Sequence, residues 1–557
     1  MYNTRKNKMK AYKFLLGTVL SGMMLAGCAD LDTAPKRDIV TDDQKKDAVE
    51  QNPSMASAAV SAITSSFSFF ADATALGHND FGYPSVMLMT DSRGMDMVST
   101  VTGFNWFSND VTLGDYQNTS DENSMIWTDM YNQIFTANAV AKTINVDTEE
   151  SQAQYFLAQA LGIRAFDYFI LAQLYQYTYE GNLDAPCVPL LLDTNADEVG
   201  ANGAKRATVS AVYEQIMTDL NNAVDLLSKT KVERADKRYL NLSVALGLRA
   251  RVEMVMQNWE AAAADAQKAI DCSGATPLSV EEASVPGFNK LDAKNWMWGI
   301  YVDETDRVVT SGICNWPSHM GSLCYGYASV GGWRKINVDL YNRINSTDAR
   351  KGWWLDPNGK SANLTSAEQK YITSIVKAPA YSQVKFGAYK GEIGTSTNAC
   401  DIPLMRVEEM YYILAEAQAM AGNPAQGLAT LKNFTTSYRD PGYNQTASSA
   451  EAVQEAVWMQ RRIELWGEGL SYYDLMRLRK GIDRRGSGVE AAFQYVIKDT
   501  KEAERQAITT VLSGKGGTQG TDLARLIFRI PNAEIESNKL LTPTDDNLSS
   551  PTIYPVN

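Results

Sequence analysis

The sequence predicts a mainly α-helical protein: one large domain in which tetratricopeptide-like helix pairs form a right-handed superhelical scaffold carrying a loop-rich, irregular insert. Three observations carry that reading. Residues 160–165 (Ala-Leu-Gly-Ile-Arg-Ala) and 245–250 (Ala-Leu-Gly-Leu-Arg-Ala) are near copies, and each opens a helical stretch. The chain from Ala250 through Gln257-Asn-Trp-Glu to Ile270 is laid out like the chain from Ala415 to Leu431 without a gap, so Asn258 matches Asn423 and Ala266 matches Leu431. A helix, a tight polar turn and a second helix with small residues at the contact positions form a unit that buries its apolar stripe only against neighbouring units. Third, residues about 274–400 are rich in Gly, Pro, Ser, Asn and aromatics and hold no sustained helical period.

Taken in chain order, the first 27 residues stand apart. Arg5, Lys6, Lys8, Lys10 and Lys13 precede the apolar run from Phe14 to Ala26, which at ~1.5 Å per residue is too short for the ~30 Å hydrocarbon core. A basic head, a short apolar core and a small-residue exit describe a secretory signal peptide. The exit, Leu25-Ala-Gly-Cys28, resembles the bacterial lipoprotein box, in which Cys28 is lipidated and becomes the first residue; a plain signal peptide with an incidental Cys is the alternative. Residues 28–230 then form an N-terminal half with the first helix pairs, and residues 231–557 a C-terminal half that contains the insert. Helices are expected over Met125–Lys142, from Ala160 to Tyr175, over Ser210–Ser228 and over both repeat pairs. Ile463, Trp466, Leu470 and Tyr473 fall on one face of a further helix. Residues 76–124 read as a second loop-built stretch, and function tends to sit on such loops.

Charge and cysteine usage narrow the classes. The 52 Lys and Arg against 65 Asp and Glu give a net charge of −13, which argues against nucleic-acid binding and against adhesion to anionic lipid by charge alone. Only His78 and His319 are available for imidazole chemistry. Five cysteines besides Cys28 form no CxxC; Cys314 and Cys324 could close a small loop, or all five are packed thiols. Asp193-Thr-Asn-Ala-Asp197 alternates oxygen ligands like a calcium loop, but Glu198 stands where such a loop needs Gly, so it reads as a surface acidic loop. The Gly-rich Gly514–Gly520 lacks the spacing of a phosphate loop. No cofactor and no metal site is expected.

Glu464 and Glu468 stand four residues apart and need cations nearby, for which Arg461, Arg462, Arg406 or Arg477 are available. Two carboxylates at such a distance could also run glycoside hydrolysis, but an acid–Arg network on an amphipathic helix is the simpler reading. The segments Arg461–Gly481 and Ile402–Ala417 resemble the signature helices of the SusD/RagB family. Tyr131–Asn138, Asp348-Ala-Arg350, Ile530–Asn538 and the start Cys28–Pro35 match in order across almost the whole chain. Ser471 departs from the family pattern, which often carries Arg there.

The resemblance implies a helical, non-catalytic nutrient-capture lipoprotein on the outer face of the outer membrane. It implies four tetratricopeptide-like pairs, a loop-rich ligand face, and a TonB-dependent transporter of the SusC type as partner, to which oligosaccharide, or alternatively peptide, is delivered. A protein-binding helical scaffold and an extracellular hydrolase are the readings from other classes.

A glycan binder needs flat aromatic rings for sugar C–H faces and polar partners for hydroxyls. Trp127, Trp259, Trp458 and Trp466 fall in helical patterns and read as core. The richest loop cluster, Asn315 to Trp333, offers Trp316, Tyr325, Tyr327 and Trp333. A second, where the family's first binding loop would fall, offers Asp91, Arg93, Asn105 and Trp106. Trp353 and Trp354 follow the Asp348–Arg350 motif and read as packing.

Overall fold

Long helices with buried apolar stripes set the frame. The computed structural model describes residues 42–71, 77–485, 488–497 and 523–547. Cys28, the signal peptide and Gly514–Gly520 lie outside them. The chain divides into a first unit ending at Asp47 and a second, Ala48–Asn557, which carries everything described below.

In chain order the scaffold uses α1 (Ser57–Ser66), α2 (Tyr83–Arg93), α3 (Asp121–Ala141), α4 (Ser151–Tyr175), α5 (Val209–Lys229), α6 (Leu242–Val255), α7 (Trp259–Ser273), α8 (Val407–Met420), α9 (Pro424–Tyr438), α10 (Ala450–Glu464) and α11 (Ser471–Arg477). From α3 to α9 each helix packs on the next, and α7 meets α8 although the insert separates them in sequence. Local chemistry fixes their starts. Ser120, Thr208, Asn241 and Ser449 accept the backbone N–H three residues on, which satisfies an otherwise orphaned donor. α4 is buried on nearly its whole circumference, as a central helix must be.

The internal repeat extends to its hydrogen bonds. Between α6 and α7, Gln257 takes φ 61° and the Asn258 N–H donates to Glu253 O at 2.9 Å. Between α8 and α9, Gly422 takes φ 94° and the Asn423 N–H donates to Gln418 O at 3.0 Å. The matched Ala250, Ala266, Ala415 and Leu431 are all buried at the helix contacts. Gly162 and Gly247, equivalent in the two near-identical hexapeptides, sit where a Cβ would meet Leu240 Cδ1 at 2.3 Å or Met405 Sδ at 2.5 Å. Each hexapeptide Arg then clamps an Asp of the following helix, Arg164 on Asp219 at 2.7 Å and Arg249 on Asp265 at 2.6 Å.

The insert is built as expected from short pieces. Strand β4 (Trp296–Ile300) pairs antiparallel with β6 (Ile402–Arg406), and β5 (Arg334–Ile336) pairs antiparallel with β1 (Met97–Ser99); β2 (Pro186–Pro189) and β3 (Arg206–Thr208) pair beside α5. Its tryptophans Trp296, Trp298, Trp353 and Trp354 are fully buried in the main core shared with the scaffold, where Trp298 meets Phe67 and Phe166 edge-on. The second loop-built stretch is less irregular than expected, because α2 runs through it and every residue of that helix is buried.

One expected helix is broken. Ile463 and Trp466 do not continue to Leu470 and Tyr473 on one helical face, because the chain leaves α10 at Glu464 and re-enters helix only at Ser471. Gly467 and Gly469 take φ 80° and 75° in the gap, a conformation that costs a residue with a Cβ. The freed carbonyls have cationic partners: Lys385 Nζ donates to Glu464 O at 2.9 Å and Trp466 O at 2.8 Å, and Arg406 donates to Glu464 O at 3.1 Å.

Cys314 and Cys324 are not bridged. Cys314 Sγ lies 3.7 Å from His78 Nδ1, and Cys324 faces the Cys400 thiol. Asp193 pairs with Arg164 at 2.6 Å, and among the described residues no group of three or more His, Cys, Asp or Glu is placed to hold a metal ion.

Candidate functional site

The β1–β5 ribbon aims two loops at the same patch of surface, residues 100–107 after β1 and 326–333 before β5. Along the first, exposure alternates: Phe104 and Trp106 face out, Asn105 and Phe107 face in. The inward pair anchors the loop. Arg334 donates to Asn105 Oδ1 at 2.9 Å and to Ser99 Oγ at 2.5 Å, and Asn105 Nδ2 donates to Thr100 O at 3.2 Å. Thr100 Oγ1 donates across to Gly331 O at 2.7 Å, tying the two loops together. Gly332 suits this close approach, since a Cβ would sit 3.0 Å from both the Phe104 and Tyr327 carbonyl oxygens and press on the backbone.

The outward pair is held as a platform. The Trp106 ring lies flat on His78, with centroids 4.3 Å apart and planes 12° from parallel, and Trp106 remains 40% exposed. His78 is fixed from below by the Tyr327 hydroxyl on Nδ1 and by His319 Nε2, which donates to the His78 carbonyl at 2.7 Å. His319 stacks on Tyr327 at 4.6 Å, and burial followed by the charge of Arg334 holds its imidazole well below the usual range, so it stays neutral. Phe104 stands beside Tyr327 at 6.5 Å, Val101 and Val330 are further exposed residues of the two loops, and Tyr325, just before the second loop, is exposed as well.

Of the residues expected at a ligand surface, the structure therefore brings Trp106 and Tyr325 to the exterior and places Tyr327 under the platform. Trp333 is half-buried against a small cluster around Leu323 and Leu355. Asp91, Arg93, Asn105 and Trp316 are corrected to interior roles. Asp91 accepts the Gly469 N–H at 2.9 Å, and burial pushes its carboxyl up to about 7. Arg93 is enclosed by Asp115, Tyr472 and the Phe528 ring, 4.5 Å away. Trp316 is 3% exposed and packs edge-on to Phe386 at 4.7 Å. Asp91 and Arg93 lie on the fully buried α2, where Asp91 fixes the broken turn and Arg93 donates to the Arg525 carbonyl.

His78 and Phe104 were not among the expected site residues. Phe104 could have been found from its two-residue spacing to Trp106; His78 could not, because its partners are distant in sequence.

Glu464 and Glu468 are not a catalytic pair. Glu464 is bound by Arg350 at 3.2 Å, Arg406 at 3.0 Å and Arg439 at 2.7 Å, and Glu468 by Lys385 at 2.6 Å and Arg406 at 2.8 Å. Burial opposes ionisation, but Arg439, Arg406 and Arg350 outweigh it and hold the Glu464 carboxyl well below its usual range. A group so held cannot serve as the general acid of glycoside hydrolysis. The Asp96 carboxylate accepts from Ser471 Oγ at 3.4 Å and pairs with Arg462 at 2.5 Å.

Comparison with known proteins agrees with the frame. Residues 73–254 match the model of a SusD-like family described as starch-binding and associating with the outer membrane, and residues 322–546 match the SusD family model. The chain belongs to the SusD/RagB family. A SusD-like protein of Formosa agariphila is 24% identical over 65% of this chain and 73% of its own. A SusD-like carbohydrate-binding protein of Bacteroides vulgatus superposes with a TM-score of 0.67 at 23% identity, covering 88% of this chain and 97% of the other. A laminarin-binding SusD-like protein superposes with a TM-score of 0.58 at 19% identity, covering 88% and 99%.

Proposed function

We propose that this protein is a cell-surface glycan-binding lipoprotein, anchored in the outer membrane through Cys28, that captures oligosaccharide on the Trp106–Phe104 platform. It hands the captured chain to a TonB-dependent transporter of the SusC type and catalyses nothing. Trp106 carries the reading. Its inner face is taken by His78, so one flat, electron-rich face remains for the C–H surface of a sugar ring. The exposed Phe104 on the same loop extends the apolar surface, and the carboxylate of Glu490, which accepts the Val101 N–H at 3.0 Å, supplies a hydroxyl acceptor on that loop. The carbohydrate-binding character of the family and the laminarin-binding relative support a glycan as the ligand class.

Affinity electrophoresis in gels containing laminarin, starch or other soluble polysaccharides tests it. At least one polymer should retard the protein, and Trp106→Ala should weaken that retardation by ~10-fold or more in apparent Kd, as for truncation of a central aromatic anchor. Unchanged mobility across the panel, together with binding of a peptide pool, would replace glycan by peptide as the cargo.

A further inference from the structure

The insert holds a second concavity that the platform does not use. One wall is the segment Pro286–Lys290, the other Gly387–Ile393, and the free volume between them is about 380 Å³. That lies within the ~300–1,000 Å³ of small-molecule sites. The walls are pinned to each other at one end, where Gly387 N donates to Gly287 O at 2.8 Å and Asn289 Nδ2 donates to Ala388 O at 2.8 Å. Asn295 and Trp296 also line the cleft, each 1% exposed. Asn295 spends its amide N–H on Glu408 at 3.0 Å, and among the described residues neither its Oδ1 nor Trp296 Nε1 has a hydrogen-bond partner. Orphaned buried polar atoms are uncommon and costly. Here one such acceptor and one such donor lie on adjacent residues that both line the cleft.

Two rim charges are paired, Glu282 with Lys294 at 2.5 Å and Lys390 with Glu304 at 2.7 Å; Lys290 and Glu368, the latter accepting from Thr365 at 2.7 Å, add one charge of each sign, so the lining carries no net charge. The cleft therefore asks for a neutral ligand that both donates and accepts. Phe288 offers it no stacking face, because Lys385 and Arg406 each stand 4.9 Å from that ring. Its outer lip joins the loop of the exposed Tyr325: Ile393 precedes Gly394, whose N–H donates to Leu323 O at 2.8 Å, and Tyr325 N donates to Thr395 O at 2.9 Å.

We propose that the cleft between Pro286–Lys290 and Gly387–Ile393 is a second ligand site, taking a neutral, hydroxyl-rich ring of a short saccharide. The ligand class rests on the glycan reading; the site does not depend on Trp106.

Fluorine NMR of the full chain labelled with 5-fluorotryptophan separates the two, with Trp106→Phe and Trp296→Phe assigning the signals. Glucose, maltose, cellobiose and laminaribiose are the probes. At least one should shift the Trp296 signal and should still do so in Trp106→Ala. Ile393→Trp, at the exposed lip, should weaken the Trp296 response at least tenfold and leave the Trp106 response in place. A Trp296 signal unmoved by every sugar, or one that responds equally in Ile393→Trp, overturns the cleft. A Trp296 response with a silent Trp106 would uphold the cleft and remove the platform.

Discussion

Glu464 shows how a single residue can look like function and be architecture. Its carboxylate collects three guanidiniums from three separate segments: Arg350 in the insert, Arg406 at the end of β6 and Arg439 after α9. Removing one partner of a buried ionic cluster leaves the others uncompensated, so Glu464→Gln should lower stability by about 3–5 kcal/mol at pH 7 in urea unfolding. The pH dependence has a definite sign. A carboxyl whose folded pKa is depressed stabilises the fold above its ordinary range and loses that contribution as pH falls through the depressed value, so the gap to Glu464→Gln should narrow below about pH 4. At the platform, its place in an irregular, aromatic-bearing stretch makes Trp106 a candidate, but the same criterion makes Trp316 one in a separate cluster. Both are tryptophans in Gly- and Ser-rich loops, and what separates them is Phe386, seventy residues further along the chain, which covers one and not the other.

At the scale of elements, the turn between α10 and α11 is the joint that lets scaffold and insert meet. A Cβ at Gly467 would come within 2.7 Å of both Met320 Cε and Phe386 Cε2, and the backbone there is already left-handed. Gly467→Ala should therefore cost roughly 1–3 kcal/mol, read as a lowered urea midpoint with an unchanged slope. That joint was hidden from the sequence because its cause is remote. The apolar period from Ile463 to Tyr473 is that of a helix, and the carbonyl-binding Lys385 and Arg406 that favour breaking it lie well upstream. The repeat pairs were legible for the opposite reason: small contact residues, polar turns and the clamping arginines are all encoded within the unit they build. Composition likewise announced the insert, though not that its tryptophans would join the core of the scaffold helices.

For the molecule as a whole, acid and base pull in opposite directions. Asp167 lies in the middle of α4 with neither carboxylate oxygen bonded among the described residues, and burial, then the charge of Asp129, pushes it well above its usual range. Such a group stabilises the fold fully below its unfolded value of about 4 and progressively less as pH rises toward its folded one. Asp167→Asn should match the wild type near pH 4 and exceed it by about 1 kcal/mol or more at pH 8, checked by denaturation at both. The stability optimum is thus set between the protonated helix interior and the ionised Arg–Glu cluster rather than by net charge. The two-residue alternation from Phe104 to Phe107 has a consequence for how such a protein diversifies. Since the odd-numbered side chains hold the loop to Arg334 and the interior while the even-numbered ones meet the solvent, the latter can be exchanged without loosening the former. Diet and durability can therefore be retooled independently, one tooth of the comb at a time.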